Sequence, residues 1–217
     1  MFLHIHPYEP LIRKDTTKLI VGTLPPPRFS IGALLEKDVD FCYGSYYNSL
    51  WKYIDHIHGL NFRYDNSKKA VEERMNYLIT HKIGICDIVQ SAERKKIDAS
   101  DLGMTNIILR DLIGYLKQFP NIETILFTGG NSKNGPEYFF RKHLKTYNLR
   151  LKLIDNEIPR IHQFNLADRP IRTISLTSCS GAANISISKN PLYRQLKVNN
   201  PSFNTFDFRI LQYREYL

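Results

Sequence analysis

The chain has 217 residues, enough for one well-buried core, and its 42% hydrophobic and 24% charged residues have the balance of a globular protein. No apolar run approaches the roughly 18 residues of a membrane helix, which excludes a spanning segment of that kind. Thirty Lys and Arg against 21 Asp and Glu give a net charge of +9, a surplus that fits a polyanionic partner because neutralising phosphates releases counterions.

In chain order, residues 1–10 lack the basic-then-apolar order of a signal peptide, so a cytoplasmic protein is expected, with disorder confined to the first few positions. Lys18-Leu19-Ile20-Val21-Gly22 reads as a strand, and Thr23-Leu24-Pro25-Pro26-Pro27 cannot prolong it because proline offers no ladder donor. Apolar residues at a 3–4 spacing predict helices over 48–58 and 68–80. A second strand follows at 83–89. Residues 105–119 again carry helical spacing, and Pro120 stops them. Further strands are predicted at 124–130, 149–154 (at an edge) and 173–177, and further helices at 136–147 and 206–216. Strands alternating with helices predict an α/β fold: a three-layer α/β/α sandwich around a central, mostly parallel sheet of four or five strands, in a single domain over residues 1–217. Ligands of such sheets sit beyond the strands' carboxyl ends, which selects the loops 22–30, 87–94, 129–131 and 177–184.

Phosphate-loop, dinucleotide, zinc-protease and nucleophile-elbow signatures are missing. Cys42, Cys86 and Cys179 are too far apart for a CxxC knuckle or a disulfide framework and too few for the usual four-thiolate iron–sulfur cluster, so buried thiols are expected. His56 and His58 would face different ways on a helix, and no metal is expected. Glu72-Glu73 and Asp98/Asp101 lie in charge-mixed stretches and read as solvated surface. The richest segment is Phe41-Cys42-Tyr43-Gly44-Ser45-Tyr46-Tyr47-Asn48-Ser49-Leu50-Trp51. Its aromatic planes, near the backbone amides that follow the first strand, suit a flat heteroaromatic ligand; the alternative is a core wedge with Asn48 as a helix cap.

The Gly-Thr-x-Pro turn at 22–25 and the aromatic Tyr-Gly segment leading to Asn48 and Trp51 resemble the first motif region of the uracil-DNA glycosylase superfamily, nearest its mismatch-specific uracil and hypoxanthine-DNA glycosylase branch. Three later blocks agree in order: residues 84–94 with 98–101, Phe127-Thr128-Gly129-Gly130-Asn131, and Leu176-Thr177-Ser178-Cys179-Ser180-Gly181-Ala182-Ala183-Asn184. There are departures too. Thr23 and Leu24 stand where the best-known members carry an Asp or Asn, Ser45-Tyr46 replaces a common His-Pro, and Thr177, Cys179 and Gly181 replace second-motif residues.

The resemblance implies a monofunctional base-excision repair enzyme that hydrolyses the N-glycosidic bond of uracil or hypoxanthine in DNA and leaves an abasic site. It assigns Asn48 to orienting water, Tyr43 to stacking on the flipped base, and the amides of Gly22, Thr23 and Leu24 to the base edge. Ser178, Ser180 and Gly181 would contact phosphates with Asn184 beside them, and Arg94, Lys95, Lys96, Lys189 and Arg194 would support the DNA track. DNA containing a damaged base is the expected partner, with no membrane, obligate protein partner or cofactor. The alternatives are a non-catalytic damage-binding protein on the same fold and a hydrolase of nucleoside-type small substrates.

Overall fold

The computed structural model describes residues 1–98 and 100–217; Ala99, within the block at 98–101, lies outside the described residues. In chain order the elements are β1 (Phe2–Ile5), β2 (Lys18–Gly22), α1 (Pro27–Ser30), α2 (Leu50–His58), α3 (Lys68–Thr80), β3 (Ile83–Asp87), β4 (Val89–Arg94) and β5 (Met104–Leu109). Then follow α4 (Leu112–Gln118), β6 (Thr124–Phe127), α5 (Pro136–Thr146), β7 (Lys152–Asp155), β8 (Arg160–Leu166), β9 (Arg169–Ser175), α6 (Asn184–Ser188), α7 (Pro191–Asn199) and α8 (Thr205–Arg214).

The main sheet runs β3-β2-β6-β9-β8-β7. Its first four strands are parallel, and β8 is antiparallel to both of its neighbours. Val21 lies level with Cys86 and Phe127, and Phe127 with Ser175, so the four parallel strands end together. Alternation along each strand divides the core. Ile20, Ile85, Leu126 and Ile174 join Leu50, Trp51, Ile54, Leu78 and Tyr213 from α2, α3 and α8. Leu19, Val21, Cys86, Ile125 and Phe127 join Leu112, Leu116, Phe139, Phe140 and Leu144 from α4 and α5. The three cysteines are buried thiols. Among the described residues, no helix is long and apolar enough to cross a membrane.

Several expectations change. The sheet has six strands rather than four or five, because the polar-looking segment 160–166 pairs along its whole length with β9. Residues 89–94, expected as a loop, form β4. The Ile88 and Val89 amides still bond to Gly22 and Thr23, and the chain then leaves to pair antiparallel with β1 and β5 in a second sheet. The N-terminal residues are therefore a strand. The helix expected over 105–119 is a strand and a short helix: Ile107 and Leu109 face the core while Ile108 is 57% exposed, and Asp111 caps α4 by accepting the Gly114 amide. Helix α7 was not anticipated.

The long connection from α1 to α2 has no regular ladder and is organised by one carboxylate. Fully buried Asp38 accepts from Arg28 Nε (2.7 Å) and Nη2 (2.9 Å) and from the Leu35 and Tyr46 amides (2.9 and 3.0 Å). Burial alone would raise its pKa; Arg28 and the two amides outweigh that and hold it below the usual carboxylate value. Asp38→Ala is expected to cost about 3–5 kcal/mol in urea unfolding at pH 7, since it leaves Arg28 and two amides without their acceptor. The depressed pKa means that the contribution is present above about pH 4 and is lost as pH falls through the folded value, so Asp38→Asn should flatten the acid limb of the stability curve.

Candidate functional site

A cavity of about 930 Å³ opens where the four parallel strands end. Gly22, Asp87, Thr128 and Ser175 lie at its floor. Residues drawn from the segments 23–26, 43–48, 129–135 and 176–183 supply its walls, without Tyr46 or Gly181. This is the crevice position that an open α/β sheet favours for a ligand.

The floor is built around Gly22. Its amide donates to Asp87 Oδ1 (3.1 Å), while Asp87 Oδ2 pairs with His6 Nε2 (3.1 Å). The Tyr43 hydroxyl lies over Gly22 and hydrogen-bonds Thr128 Oγ1 (3.1 Å). Burial, followed by the Asp87 charge, pushes the Tyr43 pKa far up, so this phenol stays neutral. Tyr43 has a left-handed backbone (φ 58°), held by the tight 39–44 turn in which Val39 donates to Gly44 O (2.8 Å) and Gly44 to Phe41 O (2.9 Å). A side chain at Gly44 would run into the Val39 carbonyl. The Tyr-Gly pair is thus a backbone requirement that aims the phenol at the floor.

Asn48 stands on the cavity wall, where its Oδ1 accepts the Leu50 amide (3.0 Å) and its backbone bridges to Ser180. The N-cap of α2 is Ser49 rather than Asn48, whose carboxamide keeps a second oxygen lone pair and two NH₂ donors for the cavity. The opposing loop is fastened by Arg209 of α8, which is 3% exposed. It donates to Ser178 O (2.9 Å), Ser180 O (3.0 Å) and Asn184 Oδ1 (2.8 Å). The Tyr213 hydroxyl donates to Thr177 O (2.9 Å).

The structure brings Gly22, Thr23, Leu24, Tyr43, Asn48, Ser178 and Ser180 to one cavity. Gly181 and Lys189 are exposed beyond its rim. Two expectations are corrected. The Gly22 amide is engaged by Asp87 and is not open to a base edge. Arg94 is not on a DNA track: it is 1% exposed, with Nε on His4 Nδ1 (2.9 Å) and Nη1 on Ser100 O (2.6 Å), so it braces the chain from inside. Asn184 stands outside the cavity beside the 178–183 loop, and its side-chain Oδ1 receives Arg209.

Sequence reasoning also missed three lining groups. Asp101, read as surface, turns inward and accepts from Thr23 Oγ1 at 3.1 Å, whereas Asp98 is exposed. Glu137 is buried at the start of α5, accepting from Ser175 Oγ (2.7 Å) and Arg141 Nε (2.7 Å). Arg160 is an exposed wall residue. Asp101 had a sequence signal in its membership of the family-like block at 98–101, and Glu137 one in its place behind Gly135-Pro136, where a helix begins; Arg160 had none.

The fold and cavity together define an open α/β protein with a polar, carboxylate-bearing crevice at the ends of its parallel strands. Neither a protein-family model nor a curated protein matches the chain. Among solved structures it is similar to the solution NMR structure of a "putative Uracil DNA glycosylase" from Methanosarcina acetivorans, with a TM-score of 0.55 and 18% identity over 96% of this chain and 99% of that one. The two share a fold.

Gly22→Ala tests the floor. Its methyl would collide with the Tyr43 hydroxyl and lie 2.7 Å from Asp87 Oδ1 and 3.0 Å from Thr128 Oγ1. Displacing buried partners should lower stability by about 1–3 kcal/mol in denaturant titration. An unchanged midpoint would rule out this packing.

Proposed function

We propose that this protein is a monofunctional DNA glycosylase that hydrolyses the N-glycosidic bond of a deaminated base, uracil or hypoxanthine, in DNA and leaves an abasic site. The observation that carries the reading is convergence: the four blocks that resemble glycosylase motifs, the first-motif region at 22–27 and 41–51, 84–94 with 98–101, 127–131 and 176–184, are spread along the chain and all contribute residues to one cavity. The fold shared with the Methanosarcina acetivorans protein supports it.

In such hydrolysis the sugar gains oxocarbenium character while negative charge gathers on the departing base. A cavity of this volume takes a base rotated out of the helix, and a buried phenol and peptide dipoles can surround it without reorganising. Tyr43 and the Thr23–Leu24 backbone face the base, and Asn48 orients the attacking water. Ser178 and Ser180 hold phosphates, with Gly181 and Lys189 on the outer rim and the surplus of +9 drawing in the polyanion. No lysine lines the cavity among the described residues, which favours direct hydrolysis over Schiff-base chemistry.

Duplexes containing uracil, hypoxanthine or xanthine provide the test, with released base identified chromatographically and abasic sites revealed by hot alkali. Base release without strand cleavage before alkali is expected. Asn48→Ala should lower single-turnover release about 100-fold or more with DNA affinity retained. Salt-sensitive DNA binding without release of any base would instead favour a damage-binding protein, and release from free nucleosides alone a small-substrate hydrolase.

A further inference from the structure

Three carboxylates face the cavity, and two are fully engaged: Asp87 by the Gly22 amide and His6, Glu137 by Ser175 and Arg141. Asp101 is different. Among the described residues its one side-chain partner is the Thr23 hydroxyl, which lies 3.1 Å from both carboxylate oxygens and can donate to only one at a time, leaving lone pairs for a further donor. The backbone beneath it is fixed, since Asn134 Nδ2 donates to Asp101 O (2.9 Å) and Arg94 to the neighbouring Ser100 O. A preorganised acceptor thus stands beside the Thr23-Leu24 turn, which has no carboxylate or carboxamide of its own.

We infer that Asp101 is a catalytic residue that takes the proton of the attacking water, an inference that rests on the glycosylase reading above. In that step the bond from C1′ to the base nitrogen breaks and its electron pair leaves with the base. The water oxygen forms the new bond to C1′, one water proton passes to the Asp101 carboxylate, and solvent reprotonates the departed base. Neutral-pH catalysis requires the group to be ionised yet basic enough to accept. Burial pushes Asp101 up to about 6, against the Thr23 hydrogen bond and the Arg94 charge, with Asp87 adding like-charge repulsion. The other charged or titratable groups around it are Asp98, which pairs with Arg94, His4 behind Arg94, and His6 behind Asp87.

Single-turnover base release from the best lesion duplex, followed from pH 5 to 8, tests this. The wild-type rate should rise about tenfold per pH unit below about 6 and level off above it. Asp101→Asn should be about 100-fold slower or worse and flat across the range, while Asp101→Glu recovers part of the rate and the inflection. Because a raised carboxylate pKa makes ionisation above pH 6 unfavourable to folding, Asp101→Asn should melt at or above the wild-type temperature at pH 8. A variant that releases base at the wild-type rate, or slowly but with the wild-type inflection, overturns the assignment and leaves the glycosylase reading standing. A wild-type protein that releases no base from any lesion overturns both.

Discussion

Buried backbone groups need partners, and the loops at the carboxyl edge of a parallel sheet have no ladder to supply them. In this protein buried charged side chains do so. Asp38 gathers two amides and a guanidinium in the 28–46 connection, Asp87 holds the Gly22 amide, Arg94 takes the Ser100 carbonyl, and Arg209 fastens the 178–184 loop. A charge taken out of water costs less the more of its hydrogen-bonding capacity is met, so each also fixes the geometry of its loop. The cavity owes its shape to these four groups as much as to the sheet beneath it.

The charge distribution has two scales. The whole chain is basic, with a net +9, yet Asp87, Asp101 and Glu137 face the cavity. A positive exterior draws a phosphate backbone towards the surface at long range. In the proposed reaction, carboxylates lining the cavity would favour a sugar that becomes cationic at short range, where solvent screens them least. Attraction of an anion outside and support of a cation inside can therefore coexist on one small fold.

How much of this was legible follows from the range of the interactions that decide each element. Helix α3 was placed at its observed bounds because its cap, Ser67, and its apolar face are local, and β2, β3, β6 and β9 were recognisable as buried apolar runs. Segment 105–119 misled because Ile108 and Leu109 stand three or four positions before Leu112 and Ile113 and so extend the helical spacing of α4, although in the edge strand Ile107 and Leu109 face inward and Ile108 outward. Strand β8 was hidden by its polar residues: His162 and Phe164 alternate inward between Arg160, Gln163 and Asn165. In the site, Tyr43 and Asn48 could be singled out because aromatic and capping patterns are local. The inward turn of Asp101, the burial of Arg94 and the grip of Arg209 rest on contacts between segments far apart in the chain, and no spacing rule encodes them.

The attachment of the 178–184 loop to α8 joins two properties that are usually separate. The residues that hold this rim, Arg209 and Tyr213, follow it by 25 to 36 positions and sit on a helix near the end of the described chain. Its Phe208, Ile210 and Tyr213 are buried, so the rim is tied to the core through this one helix, and an element of this kind can open locally in excursions smaller than global unfolding. Each time α8 lifts, the carbonyls of Thr177, Ser178 and Ser180 lose these partners and the cavity loses one wall. A complete cavity therefore requires α8 to be docked, and amide exchange along α8 reports how often it lifts.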